Sequence, residues 1–175
     1  MKNIVYTILG SALLLIGCTE DYDLDDRGLS VEELPRYVAF SAPGASSSIA
    51  PVDTTEDGGS EELNVEVPGG TVTDITVNYT FSGTAVFGVD FTVDGATSAG
   101  GSVVILKPDG TPNLDGLAPN ADIVVVLLTD DVVDGDKTLQ VTLASATSND
   151  GEIAVGRGGT DSLKTAVVNI EDIDE

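Results

Sequence analysis

From Arg36 onward, short runs rich in Val, Ile, Thr, Tyr and Phe alternate with clusters of Gly, Pro, Asn and Asp, and no window sustains a helical period. Two runs alternate strictly, Leu63-Asn64-Val65-Glu66-Val67 and Leu139-Gln140-Val141-Thr142-Leu143, as strands do when one face of their sheet is wet. The pattern predicts strands at Tyr37 to Ser41, Leu63 to Val67, Ile75 to Phe81, Ser102 to Leu106, Ile123 to Leu128, Thr138 to Leu143 and Thr165 to Ile170. Strands without helices predict an all-β domain over 36–175, a seven-stranded antiparallel β-sandwich. Ahead of it lie an apolar run, Ile8 to Ile16, behind the basic Lys2, and an acidic stretch, 19–35, that is poor in core-forming residues and closes on Pro35.

The apolar run is too short to cross a bilayer. Spanning takes about 20 apolar residues, whereas Ile4 to Gly17 is shorter and contains Thr7, Gly10 and Ser11. It therefore predicts a signal peptide. The tetrad Leu15-Ile16-Gly17-Cys18 resembles the lipobox of bacterial lipoproteins. That resemblance implies a lipoprotein signal peptide at 1–17, cut before Cys18, and a diacylglycerol on the Cys18 thiol, with three acyl chains in all, palmitate among them; a plain signal peptide is the rival reading. Three chains exceed what stable anchoring requires, so the membrane is a partner through lipid and the lone thiol is neither nucleophile nor disulfide partner. Residues 18–35 then form the lipidated Cys and a flexible acidic tether of about 20 to 25 Å. The acids Glu20, Asp21 and Asp23 resemble the export signal of some Gram-negative surface lipoproteins, or simply solvate the tether. The expected location is the bacterial outer membrane or cell surface, lipid-anchored.

Charge narrows the partners. The chain carries 30 Asp plus Glu against 7 Lys plus Arg, a formal net charge of -23, and so repels nucleic acid and anionic lipid surfaces. The absence of His removes the commonest general base and zinc ligand. At 41% hydrophobic the chain is too apolar for a disordered acidic tail, so its charge decorates a folded core.

If the seven strands run up and down, their connections fall at two poles, and the acids fall unevenly between them. One pole gathers Asp53, Glu56, Asp57, Glu61, Glu62, Asp90, Asp94, Asp130, Asp131, Asp134, Asp136, Glu171, Asp172, Asp174 and Glu175, with Lys137 as a lone base. The other has fewer acids on longer loops that also hold Lys107, Arg157 and Lys164. Crowded carboxylates repel one another more strongly as water is excluded, and a cation relieves the repulsion. Oxygen ligands from several flexible loops suit the irregular six-to-eight coordination of calcium. Asp130-Asp131-Val132-Val133-Asp134-Gly135-Asp136 lacks the spacing of an EF-hand, so the site has to be assembled across loops. The alternative is that these acids are solvated turn residues, since Asp favours turns.

The segment Asn78-Tyr79-Thr80-Phe81-Ser82-Gly83-Thr84-Ala85, followed by Gly88-Val89-Asp90-Phe91, resembles the Calx-β signature. Asp130-Asp131 after a hydrophobic strand, Asp134-Gly135-Asp136 leading into Lys137-Thr138-Leu139, and Val168-Asn169-Ile170-Glu171-Asp172-Ile173-Asp174 follow in the family's order. The resemblance covers roughly 37–175 and implies an immunoglobulin-like sandwich of Calx-β type with calcium at one pole, one or two ions. It implies metal ligands at Glu56, Asp90, Asp130, Asp131, Asp134, Asp172 and Asp174. Two departures stand out. Many relatives have Glu at the position of Asp134 and an acid at or beside Lys137, which should weaken or remove one metal, and Ile173 interrupts the closing acidic run.

An enzyme is not expected. There is no His or Trp, Ser162 has no candidate base, and a carboxylate pair such as Asp130 with Asp174 has no deep cleft to work in. The expected function is a calcium-binding structural, adhesive or interaction module with a surface protein or glycan as partner. The alternative is a non-catalytic glycan-binding accessory of a polysaccharide uptake system. Against that stands the supply of aromatic platforms, for Phe87 is the one ring of the domain assigned neither to a strand nor to the family turn.

Overall fold

A computed structural model describes residues 36–44, 46–109 and 118–174. The signal peptide, Cys18 and the tether lie outside the described residues. The strands are β1 (Tyr37–Phe40), β2 (Val52–Thr55), β3 (Ser60–Glu66), β4 (Ile75–Gly83), β5 (Phe91–Val93), β6 (Gly100–Ile105), β7 (Asn120–Leu127), β8 (Lys137–Ser148), β9 (Gly151–Val155) and β10 (Thr165–Glu171), with a 3₁₀ turn at Arg157–Gly159.

Two sheets face each other. One runs β2-β10-β8-β4-β6 and the other β1-β3-β7-β5. Strand β9 joins them along one side, pairing antiparallel with the far end of β8 and parallel with β1. Period-two alternation accounts for the core. Leu139, Val141 and Leu143 of β8, Val168 and Ile170 of β10, and Ile75 and Val77 of β4 are buried against Leu63 and Val65 of β3 and Ile123 and Val125 of β7.

The all-β sandwich is as expected, but the described residues form ten strands rather than seven, and two pairings, β1 with β9 and β2 with β10, are parallel. The extra strands are short. Val52-Asp53-Thr54-Thr55 lacks an apolar alternation, β5 has only three residues, and β9 sits in a stretch that reads as turns. Strand β8 continues past the expected end because it absorbs one extra residue. Tyr79 pairs with Leu143 but Asn78 pairs with Ser145, a bulge that lets the strand bend toward β9.

Strand direction fixes what lies at each end. Pairing of Ser60 with Val126, Phe91 with Leu127 and Ile170 with Lys137 puts the start of β3, the end of β7, the start of β5, the start of β8 and the end of β10 at one pole. The chain enters the domain at the opposite pole, where the Arg36 guanidinium lies 3.8 Å from Asp150 in the β8–β9 turn. Asp94 does not share the acidic pole. Strand β5 carries it away along β7, into a hollow lined by Tyr79, Ser102 and Asp122.

Phe87 is likewise not free. It stacks on Phe81, ring centroids 5.9 Å apart, and meets Phe91 edge-on at 5.6 Å, while Phe81 and Phe91 form a T-shaped pair at 5.1 Å. Each such pair contributes about 0.5–1.5 kcal/mol beyond the area it buries. The cluster pins the β4–β5 connection to the core.

Candidate metal centre

Four segments meet at the acidic pole: the β2–β3 turn, the β4–β5 connection, the β7–β8 connection and the chain after β10. Local chemistry shapes each of them. In the first, the Thr55 hydroxyl donates to Asp57 at 2.6 Å and Gly58 N–H to the Thr55 carbonyl at 2.9 Å, a tight turn that projects Glu56. In the second, a side chain on Gly83 would collide with the Thr138 carbonyl, and that carbonyl accepts from Thr84 and Ala85 N–H at 2.8 and 3.1 Å. Farther along, Val86 N–H donates to Asp90 Oδ2 at 2.5 Å and Asp90 N–H to the Val86 carbonyl at 2.9 Å, which closes the turn and orients Asp90. In the third, Val132 N–H donates to Asp130 Oδ1 at 2.8 Å.

The carboxylates at this pole divide into two sets. Glu56, Asp130 and Asp174 each place an oxygen so that all three lie within 4.8 Å of one another. Two oxygens on opposite sides of a calcium ion, each at its usual 2.3–2.6 Å, are about 5 Å apart, so one ion could touch all three. Asp174 Oδ2 is buried without a hydrogen-bond partner. A buried, unpaired carboxylate oxygen beside two further carboxylates is costly, and a proton or a metal ion is what removes the cost. Burial pushes the Glu56 carboxyl above its ordinary range, and the charges of Asp174 and Asp172 push it the same way, against a 3.5 Å hydrogen bond from Ile173 N–H.

The second set is already compensated. Asp172 accepts Asp174 N–H on Oδ1 at 2.9 Å, and Gly135 and Asp134 N–H on Oδ2 at 2.6 and 2.8 Å. Those backbone donors hold its carboxyl below the usual range, helped by the charge of Lys137. Gly135, at φ +80°, supplies the left-handed bend that turns two successive N–H groups onto one oxygen. Lys137 Nζ bonds both Asp134 Oδ2, at 3.0 Å, and the Asp134 carbonyl, at 2.9 Å. Its ammonium is held charged to higher pH by that side-chain bond and by the negative charges of Asp134, Asp90 and Asp172. Glu56, Asp90, Asp134, Lys137 and Asp172 enclose a void of about 10 Å³, room for roughly one water or ion.

Of the seven ligands implied by the sequence, the structure thus brings Glu56, Asp130 and Asp174 together around one point. It places Asp90, Asp134 and Asp172 beside Lys137, and it leaves Asp131 exposed, outside both sets. Sequence reasoning named these residues but not their division. Asp136 was left out of the ligand set, yet its Oδ1 accepts Asp172 N–H at 3.2 Å and so helps position the closing segment. The donor set is all oxygen, from separate loops, one atom of it buried and unsatisfied; these residues fit a calcium ion.

No protein-family model matches the sequence, and no curated protein is significantly similar to it. Solved structures are. The crystal structure of the apo-form Calx CBD1 domain superposes with a TM-score of 0.53 at 21% identity, over 79% of this chain and 98% of that one. The Calx CBD2 domain gives 0.53 at 17% identity, over 79% and 88%. The calcium binding domain CBD12 of CALX1.1 gives 0.51 at 24% identity, over 79% of this chain and 44% of that longer one. At these identities the likeness is one of fold, a β-sandwich shared with Calx domains.

Proposed function

We propose that the acidic pole binds one calcium ion through Glu56, Asp130 and Asp174, and that the domain works as a calcium-stiffened interaction module. The observation that carries this reading is the convergence of the three carboxylates to within 4.8 Å, one of them Asp174, whose Oδ2 is buried without a hydrogen-bond partner. A fold neighbour described as a calcium binding domain supports it. Asp90, Asp134 and Asp172 orient the loops rather than bind, because Lys137 and backbone N–H groups already meet their charge. The ion would cross-link three segments, and its binding energy would become folding energy. Nothing in this mechanism breaks a covalent bond in a substrate.

The remainder of the proposal is placement. A chain lipidated at Cys18 and tethered over 19–35 would join the domain at Arg36, the pole opposite the carboxylates, and so leave the calcium pole open to a partner. That suits a structural or adhesive tip meeting a surface protein or a glycan. Melting of the purified protein in calcium, in magnesium and in chelator tests the metal. A calcium-specific rise supports it, and identical melting in calcium and chelator refutes it. Mass spectrometry of Cys18 from membranes tests the anchor, which an unmodified thiol would refute.

A further inference from the structure

The outward face of the β2-β10-β8-β4-β6 sheet differs from the rest of the molecule. Burial of Val77, Leu139, Val141, Leu143 and Val168 turns the alternate residues outward. Cross-strand register then sets Thr80, Thr142 and Thr165 in one row and Ser82, Gln140 and Val167 in the next. Thr138 and Asn169 follow, with Asp53 of the edge strand beside them. From Thr76 and Asn78 to Asn169, no outward side chain of β4, β6, β8 or β10 is ionisable, on a protein with 30 acids and a net charge of -23.

These polar groups are held in place. Asn78 Nδ2 donates to Ser145 Oγ at 3.0 Å, the Thr142 and Thr165 hydroxyls lie 3.0 Å apart, and Asn169 Nδ2 donates to Asp53 Oδ1 at 2.7 Å. At the β2 end the face opens into a hollow of about 550 Å³ whose lining includes Asp53, Thr55, Thr138 and Asn169 together with the charged Asp136, Lys137 and Glu171. A carboxylate and an amide fixed against each other leave one carboxylate oxygen, one amide oxygen and one amide N–H directed elsewhere, a donor and acceptor set that matches two neighbouring hydroxyls. The three acids of the hollow outnumber its single ammonium and repel anions.

We propose that this hollow and the uncharged face beyond it bind a neutral hexose polymer, one or two sugar units seated against Asp53, Asn169 and Thr138 and the chain continuing over Gln140, Thr142 and Thr80. The hydroxyls and amides supply hydrogen bonds, and the missing carboxylates along the track admit a long chain without desolvating charge. Among the described residues no aromatic ring lies on this face for stacking, so binding is weak per sugar and depends on several units at once. The inference does not rest on the calcium reading, because none of Glu56, Asp130 and Asp174 takes part.

The test is nuclear magnetic resonance titration of the purified protein with cellohexaose, mannohexaose and maltohexaose, with hexagalacturonate as the charged control, each in calcium and in chelator. At least one neutral hexasaccharide should shift the Asn169, Gln140 and Thr142 amides equally in both conditions, while hexagalacturonate should not. Gln140→Glu should weaken binding by about twofold to tenfold with melting temperature unchanged, since its side chain is exposed, and Asn169→Ala should weaken it similarly while also lowering the melting temperature through the lost bond to Asp53. Four outcomes overturn the proposal: no shift with any of the three, equal binding of the charged oligomer, shifts confined to the acidic pole and lost in chelator, or Gln140 and Thr80 resonances that move with protein concentration alone because a second copy occupies the face. Loss of the calcium-dependent melting shift would leave it standing.

Discussion

Lys137 Nζ sits 3.0 Å from Asp134 Oδ2, and the chain thereby carries its own cation among the carboxylates of the acidic pole. The ammonium is tied a second time, to the Asp134 carbonyl, and it faces the charges of Asp90 and Asp172 as well. It occupies the half of the pole that a second metal ion would need, leaving Glu56, Asp130 and Asp174 without an ammonium among the described residues. Replacing Lys137 by Glu removes the ammonium and adds a carboxylate beside the small void between Asp90, Asp134 and Asp172. The expected result by titration calorimetry is a rise from one calcium to two per chain, with a lower melting temperature in chelator. Unchanged stoichiometry would show that the second half of the pole is closed for some reason other than Lys137.

The adjacent acids Asp130 and Asp131 should behave differently. Asp130 contributes an oxygen to the converging trio and Asp131 does not. Asp130→Asn is therefore expected to abolish the calcium-dependent rise in melting temperature, whereas Asp131→Asn should retain most of it. At a calcium concentration of 100 times the dissociation constant the wild-type rise corresponds to about 2.7 kcal/mol, several degrees for a domain of this size. Equal loss in both variants would mean that the loop's total charge, not its geometry, attracts the ion.

The sandwich was legible in the sequence because its long strands alternate over the stretches that build the core: Leu139, Val141 and Leu143 all turn inward, as do Leu63 and Val65. The edge strands were not. Strand β2 owes its place to pairing with β10 and to the cross-strand Asn169–Asp53 bond rather than to any apolar period of its own, and β5 exists because Phe91 and Val93 anchor three residues beneath the turn that holds Asp90. Strand parity could gather Glu56, Asp90, Asp130 and Asp174 at one pole because direction alone decides that. It could not separate them, since the division depends on the Gly135 bend and on which oxygen each N–H reaches. The same parity misplaced Asp94, because an unrecognised three-residue strand reverses the chain before it.

Acidification should loosen calcium through Glu56. Burial and the charges of Asp174 and Asp172 raise its carboxyl above the unfolded value, so the folded protein takes up a proton there more readily than the unfolded chain. Its contribution to the metal-free fold is complete below the unfolded value and is lost as pH rises through the folded one. Asp172 acts in the opposite sense. Its carboxyl is lowered by backbone donors, so its contribution is present above the unfolded value and is lost as pH falls through the folded one. Calcium must displace the Glu56 proton, and its apparent affinity should fall as pH drops from neutrality toward the ordinary carboxylate range. Calcium isotherms at neutral and mildly acidic pH check this, and Glu56→Gln should bind more weakly throughout and show less dependence on pH.

The pole also depends on packing well below it. Phe91 is fully buried and touches both Phe81 and Phe87, and it follows directly on Asp90. Removing its ring leaves a cavity under the β4–β5 turn, and Phe91→Ala should cost about 3–5 kcal/mol in denaturant unfolding. Phe87 is only partly buried, and Phe87→Ala should cost less while still freeing the turn that orients Asp90. If Asp90 merely shapes the loop beside Lys137, Phe87→Ala will lower stability by the same amount in calcium and in chelator. A disproportionate loss in calcium would instead make Asp90 a ligand, and the number of carboxylates around the ion would have to be raised from three to four.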